Sequence, residues 1–389
     1  MGALTLTNLI PTIYEAMDVV SRELVGFIPA VSRDSSAERA ALNEVVMSPV
    51  VGAMAAEDLQ VGAYAADTPN QTIGNVAMTI DKARSVPFGI TGEETKALQN
   101  GGTLAVVNRD RIAQALRTLT NEVESDLAGL HIATSRAYGT YNTTPFGTAS
   151  DLSDFAQSRK ILDDNGAPQS DLHLVLGSTA VANIRGKQSG LFRVNEAGTD
   201  DLLRRGSLGD VEGLQLHNSG QVKKNVTTGT AASATTNTAG YAVGATIITL
   251  AAAGTGTAIV GDIVTFAGDS NKYLLAAGNA NVAAGGTITL QEPGLQQAIP
   301  AAATAVTIIA ATTRNMFFHR SAIQLATRAP AMPEGGDAAD DVMMVTDPVS
   351  GITYEFCIYR QKRQVRYEVN LAWGKKMVTP RHSGTLIGA

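Results

Sequence analysis

The sequence predicts an α+β protein with an inserted β-rich segment. Three observations carry that expectation: a long amphipathic helix in the first third, cleanly alternating strands near the C-terminus, and an abrupt loss of charge between residues 222 and 313. At 389 residues the chain exceeds what one hydrophobic core usually organises, so two or three domains are expected. Apolar residues make up 44% and charged residues 17%, too apolar for a disordered chain, and no apolar run approaches the ~18 residues that span a bilayer. The opening stretch MGALTLTNLIPTIYEAMDVV has no Lys or Arg ahead of its apolar residues and no small-residue cleavage pattern. It is therefore not expected to act as a signal peptide, and the chain is expected to stay in the cytosol. One cysteine, Cys357, cannot close an internal disulfide and fits a reducing compartment. Thirty basic residues against 36 acidic ones give a net charge of −6, which argues against nucleic-acid binding by the surface as a whole.

The elements follow in chain order. Ile13, Met17, Val20, Leu24 and Ile28 recur at helical spacing with Glu15, Asp18 and Arg22 between them, an amphipathic arm. Its apolar stripe packs either on its own domain or on a neighbouring subunit. Between 45 and 90, Val76, Met78 and Ile80 alternate with polar or small residues while Pro49, Pro69 and Pro87 exclude a continuous helix. An extended two-stranded arm is expected there, too thin to be ordered without a partner or a larger sheet. From 103 to 137, Ile112, Leu116, Leu119, Val123, Leu127 and Leu130 form one stripe, with Asn108 as the expected N-cap and Gly139 as the stop. Some 30 residues at ~1.5 Å each make a spine of roughly 45 Å.

Residues 151 to 221 combine a helical start with strands such as LHLVLG and a Gly-rich charged stretch, SGLFRVNEAGTDDLLRRGSLGDVEG. Only six of the next 92 residues are charged (Lys223, Lys224, Asp262, Asp269, Lys272 and Glu292), which leaves 60 of the chain's 66 charges to the other 297. The runs ATIITLAAA, AIVGDIVTFAG, NKYLLAAG, GTITLQEP and AVTIIA read as short strands of a small barrel or sandwich. More charged β-type sequence resumes at RNMFFHRSAIQLATRAP, with Phe318 and Ile323 on a packed face and Arg314, Arg320 and Arg328 as interface or solvent charges. After the turn DPVSG come two alternating strands. Ile352, Tyr354, Phe356 and Ile358 lie on one face, and Val365, Tyr367, Val369, Leu371 and Trp373 on another.

Patterns that would mark an enzyme fail on spacing. GTGTAIVG supplies Gly254, Gly256 and Gly261, but the third glycine of a dinucleotide loop would stand where Ile259 does. RGKQSG supplies Gly186 and Lys187, yet a phosphate loop needs Gly at Val181 and Ser or Thr at Gln188. His131, His173, His217, His319 and His382 lack zinc spacing, and Glu334, Asp337, Asp340 and Asp341 lack the alternation of a calcium loop. No GxSxG elbow occurs, and Cys357 inside an alternating strand reads as a buried inert thiol. Arg360, Lys362, Arg363 and Arg366, with Tyr359 and Tyr367, read as a charged hairpin tip; single-strand binding and salt bridges across a subunit interface are the alternatives. No catalytic, cofactor-binding or metal-binding residue is assigned.

Several long stretches resemble one family: LTNLIPTIYEAMDVVSRELVGFIPAV, NQTIGNVAMTIDKARSVPFGITGEE, VNEAGTDDLLRRGSLGDVEGL, VGDIVTFAGDSNKYLLAAG and RNMFFHRSAIQLATRAP. They are similar to the major capsid (coat) proteins of tailed bacteriophages, in particular the short-tailed Salmonella-phage type with an inserted domain. The resemblance runs to at least residue 330 and implies the tailed-phage and herpesvirus capsid fold. On that reading residues 1–38 are an N-terminal arm, 39–100 an extended loop, 101–140 the spine helix of a peripheral domain and 141–221 an axial domain. Residues 222–313 are then an inserted β-barrel, and 314–389 the return strands of the axial and peripheral domains. It further implies self-assembly into hexamers and pentamers of an icosahedral virion capsid, in the host cytoplasm, as a precursor shell that expands on packaging. The implied partners are a scaffolding protein, a portal protein, double-stranded DNA on the inner face and a decoration protein, with no membrane and no cofactor. The other functional classes considered are a β-rich decoration or adhesin protein using 222–313 as a head, and a hydrolase dependent on His173 or His319.

Overall fold

The computed structural model describes residues 6–21, 25–50, 74–188, 209–348 and 350–389. The expected tip of the extended loop, most of the Gly-rich charged stretch, and Arg22 and Leu24 of the amphipathic arm lie outside these residues.

The spine helix runs Leu104–Ala128, 25 residues and therefore about 37 Å. It is shorter than the stripe implied, and its bounds differ from the expected ones at both ends. The Gly101–Gly102 pair, with Gly102 at φ +68°, sets the start, so that Thr103 is the N-cap and Asn108 lies buried within the helix. Gly129 ends it, a 3-10 turn Gly129–Ala133 follows, and Arg136–Tyr138 is already a strand. Ile112, Leu116, Leu119, Val123 and Leu127 are all buried in the largest core, whereas Leu130 falls in the 3-10 turn and packs at its margin. Burying each such side chain contributes roughly 1.5–3 kcal/mol.

Opposing this helix in the core is a six-stranded sheet. Its centre is the hairpin Thr353–Gln361 and Gln364–Met377, whose register pairs Phe356 with Val369 and Ile358 with Tyr367. The two apolar sets therefore share one face instead of occupying separate ones, because directly opposed residues of antiparallel strands point the same way. The other face of the hairpin carries Glu355, Cys357 and Asn370, with Arg39 ion-paired to Glu355 at 2.5 Å. Asp341–Thr346 pairs with the first hairpin strand, and Lys82–Thr91 and Ile323–Pro330 flank the second. Ser32–Ala40 adds in parallel beside Ile323–Pro330.

The N-terminal helix Leu6–Ser21 packs on its own chain, burying Ile13, Ala16 and Met17 in the core of the spine helix. Ile28 is not on that helix but on the short helix Phe27–Ala30. Glu124, fully buried on the spine, fixes this second piece. Its carboxylate accepts the backbone N–H groups of Gly26, Phe27 and Ile28 at 2.6, 2.7 and 3.1 Å, and Ser219 donates to it as well. Burial still pushes this carboxyl above the usual range, against the pull of those donors.

A second sheet orders its strands Asp210–Val211, Leu214–Asn218, Leu172–Leu176, Thr313–His319, Ser383–Gly388 and Arg136–Tyr138. Helices Ser153–Asp164 and Ser178–Lys187 contribute to its own core, where the Phe146 and Phe155 rings meet at 4.2 Å. The charge-poor segment then joins this sheet directly: Lys272–Ala277 pairs with Arg136–Tyr138 through Lys272 opposite Ala137 and Tyr273 opposite Arg136. Its strands follow the order Ala234–Thr235, Ala305–Ile308, Ile263–Phe266, Lys272–Ala277, Gly286–Leu290, Ile247–Leu250. A bridge from Leu250 back to Thr236 returns the pairing to its start. Each of the five runs picked out from sequence contains one of these strands. They enclose a core of their own, built on Ile248, Phe266, Tyr273, Leu275 and Leu290.

Replacing residues 225–311 by a short linker is expected to lower soluble yield, because it bares the edge of Arg136–Tyr138 while leaving the Lys223–Arg314 bridge closable. Undiminished soluble protein on expression would show that edge to be dispensable. Glu124→Ala is expected to cost about 3 kcal/mol in urea unfolding, since three buried donors lose their acceptor; an unchanged midpoint would remove Glu124 from its anchoring role.

Candidate functional site

The glycine and lysine motifs are structural. Gly254 and Gly256 sit at φ +86° and +88°, where a Cβ would lie 2.6 Å from the Ala232 carbonyl oxygen and 2.3 Å from that of Thr230. Their bare Cα atoms allow backbone to pass close to backbone, leaving no cradle for a phosphate. Gly186 and Lys187 close the helix Ser178–Lys187.

The five histidines are less scattered than their spacing implies. His173 and His217, 44 residues apart, come within 3.0 Å (Nδ1 to Nε2) because the parallel strands Leu172–Leu176 and Leu214–Asn218 lie side by side. One ring donates to the other, which requires at least one neutral imidazole. Burial pushes His173 down to about 4, with His217 and Arg320 adding repulsion, and burial lowers His217 too. His319 and His382 meet edge to face at 6.3 Å, and His131 stands apart against the Ala128 carbonyl at 3.1 Å. No periodicity in the sequence signals the pair, since strand adjacency alone creates it. Among the described residues no three His, Cys, Asp or Glu side chains converge as a metal site.

Cys357 is buried, and its thiol is pushed up to about 12 by burial and then by Glu355, which keeps it protonated and unreactive. The acidic loop is exposed; Asp340 ion-pairs with Arg360 at 3.4 Å and Asp337 accepts from the Tyr359 hydroxyl. The basic cluster is the tip of the central hairpin. Arg366 pairs with Glu368 at 2.7 Å, and Lys362 and Arg363 line an open hollow of about 700 Å³ with Gly92, Glu93 and Thr95. Of the three arginines expected at interface or solvent positions, Arg328 is instead buried, bound to the Asp34 carboxylate at 2.9 Å, and Arg314 is 1% exposed. Both lie on strands enclosed by neighbours on either side, a placement that local composition does not reveal.

What the described surface does offer is exposed apolar area. Val45–Val50 and Gly74–Thr79 form a separate two-stranded ribbon. Met78 and Ile80 tuck against Ala326 and Ala372 of the six-stranded sheet, but Leu42, Val45 and Met47 are 54, 46 and 62% exposed. An open groove of about 450 Å³ runs between Lys82–Thr91 and the spine helix, lined by Val86, Phe88, Val107 and Ala115 among others. No helix among the described residues is long and apolar enough to cross a membrane.

No protein-family model matches the chain, and no curated protein does. Among solved structures it is similar to one of Mycobacterium phage Che8, at 13% identity and TM-score 0.46, covering 95% of this chain and 90% of the other. It is also similar to the capsid of the cyanophage P-SCSP1u, at 10% identity and TM-score 0.45 over 92 and 86% of the two chains. A virus-like particle from Pyrococcus furiosus is similar over 96 and 97% at 8% identity and TM-score 0.40.

The depressed histidines set a pH window. A base whose folded value lies below its unfolded one contributes stability that is intact above the unfolded value, near 6.5, and is lost as pH falls toward the folded value. Thermal midpoints are therefore expected to drop between pH 6.5 and 4, and the double variant H173L/H217L to flatten that drop. An identical slope in the variant would place the acid sensitivity elsewhere.

Proposed function

We propose that this chain is a shell-forming capsid protein with no catalytic role. The observation that carries the reading is the ribbon Val45–Val50 with Gly74–Thr79, which leaves Val45 and Met47 exposed although Met78 of the same ribbon packs against the six-stranded sheet. A second copy of the chain supplies the missing cover, by docking its own surface on the ribbon or by receiving the ribbon in the groove beside the spine helix. The quoted stretches that resemble tailed-phage coat proteins support the same reading, as does the order of arm, extended loop, spine, axial and inserted segments that they imply over 1–38, 39–100, 101–140, 141–221, 222–313 and 314–389.

In this reading assembly is multivalent. A contact of millimolar affinity contributes roughly 4 kcal/mol, so several per subunit hold a closed shell while single wrong contacts dissociate. The net charge of −6 makes packaged double-stranded DNA a passive content that meets local basic patches, whose field decays within about 8 Å at physiological salt. Assembly in the bacterial host cytoplasm on a scaffolding protein, filling through a portal protein, expansion by domain rotation and binding of a decoration protein belong to the same proposal.

Electron microscopy of the chain co-expressed with its scaffolding protein is expected to show closed icosahedral shells; persistent absence of closed particles overturns the proposal. Met47→Asp together with Val45→Asp is expected to leave monomer stability within about 0.5 kcal/mol, because both side chains are already solvated, yet to abolish shells. Normal shells from that variant would remove the ribbon from assembly.

A further inference from the structure

Two Asn–Gly dipeptides occur in the chain, Asn100–Gly101 and Asn165–Gly166. In such a pair the glycine nitrogen, with no Cβ beside it, can attack the carbonyl carbon of the asparagine side chain. The attack requires an asparagine free to turn and a glycine N–H free of its hydrogen bond. The fold treats the two pairs differently.

Asn165 is tied down. Its Oδ1 accepts from Arg136 Nη2 at 3.1 Å, and its Nδ2 donates to Ser135 Oγ at 3.1 Å and to the Arg381 carbonyl at 2.7 Å. Ser135 and Arg136 are themselves buried, so the amide is fixed to the body of the second sheet. Its carbon cannot swing onto the Gly166 nitrogen without breaking all three bonds.

Asn100 has the opposite surroundings. It is the last residue of the helix Gly92–Asn100, and Asn100, Gly101 and Gly102 are all exposed. Among the described residues none holds its side chain. The helix has nine residues and buries none of them, which is below the length at which a helix is stable by itself. A capping box of Thr91 with Glu94 secures its first turn, whereas its last turn runs into two glycines, with Gly102 at φ +68° and open space around it. The Gly101 N–H donates to the Ala97 carbonyl at 3.1 Å, and that bond belongs to the unsecured end, which frays first. Fraying frees the nitrogen and lets the neighbouring side chain reach it.

We infer that Asn100 is a site of spontaneous deamidation, selected by the fold over Asn165. The Gly101 nitrogen bonds to Cγ of Asn100 and the Cγ–Nδ2 bond breaks; the proton lost by Gly101 leaves with Nδ2 as ammonia, and a succinimide ring remains. Water then opens either ring carbonyl, giving aspartate, or isoaspartate in which the main chain runs through Cβ. One more carboxylate joins a net charge of −6, and it stands at a helix C-terminus, where negative charge is unfavourable. The isoaspartyl form also adds an atom to the main chain shortly before Thr103, the N-cap of the spine helix. The joint between the strand Lys82–Thr91 and the spine therefore loosens as the protein ages.

The test incubates the full chain in mildly alkaline buffer made with heavy-oxygen water and follows both dipeptides by peptide mass spectrometry, with isoaspartate read by enzymatic methylation. Conversion at Asn100, with one heavy oxygen taken up, is expected to run at least about tenfold faster than at Asn165, since a frayed helix end opens far more easily than a side chain held by three bonds. In urea the two are expected to convert at similar rates. Gly101→Ala, whose Cβ would come no nearer than 3.6 Å to a non-adjacent residue, is expected to keep the fold and to slow the reaction at Asn100. Equal rates in the folded chain, an Asn100 that stays intact while it converts in urea, conversion without heavy-oxygen uptake, or an unslowed G101A would each overturn the assignment.

Discussion

Glu124 joins three parts of the chain that are far apart in sequence. A carboxylate at 0% exposure is unfavourable by itself, and it is tolerated here because three consecutive backbone donors from Gly26, Phe27 and Ile28 surround it. Those donors are the unsatisfied start of the short helix that follows the N-terminal arm, so the same contact completes a helix end and holds the arm on the spine. Phe27 then stacks on Phe318 at 6.3 Å, which passes the anchorage on to the strand that re-enters after the charge-poor segment. Removing the acceptor would loosen the arm, the spine and that strand together.

The two sheets are linked by very little chain. Thr313–His319 belongs to one sheet and Ile323–Pro330 to the other, with only the 3-10 turn Arg320–Ala322 between them. The charge-poor segment is likewise no separate bead, since Lys272–Ala277 continues the sheet that contains the C-terminal strand. Such continuity lets a load on one surface reach another through backbone hydrogen bonds. A second set of ties reinforces the spine: Lys82 reaches Glu122 and Asp126 at 3.1 and 2.9 Å, and the Trp373 indole N–H donates to Asp126 at 3.0 Å.

Much of the fold was legible because it depends on short-range periodicity. The stripe from Ile112 to Leu127 is buried as a helix must bury it, and the runs around Ile248, Val264, Leu274, Ile288 and Val306 are strands because β-prone residues alternate between glycine-rich turns. Boundaries were less legible. Asn108 has the chemistry of an N-cap, but the Gly101–Gly102 break upstream let the helix begin earlier, and the stripe's continuation to Leu130 concealed the stop at Gly129. The apolar face shared by Phe356 and Val369 depends on hairpin register, which neither strand contains alone.

The candidate surfaces divide the same way. Composition and spacing by themselves determined that the familiar enzymatic motifs are missing, that Cys357 is an inert strand residue, and that 45–50 and 74–79 are extended. Only tertiary structure decided that Ile13 and Met17 of the N-terminal stripe pack on their own chain, that His173 meets His217, and that the Arg314 guanidinium is enclosed with no hydrogen-bond acceptor among the described residues while Met47 is left in water. The physical reason is range: side-chain alternation and helix periodicity are set by neighbours a few positions away, whereas burial of a charge is set by whichever strands and helices close over it, and those come from segments up to hundreds of residues distant.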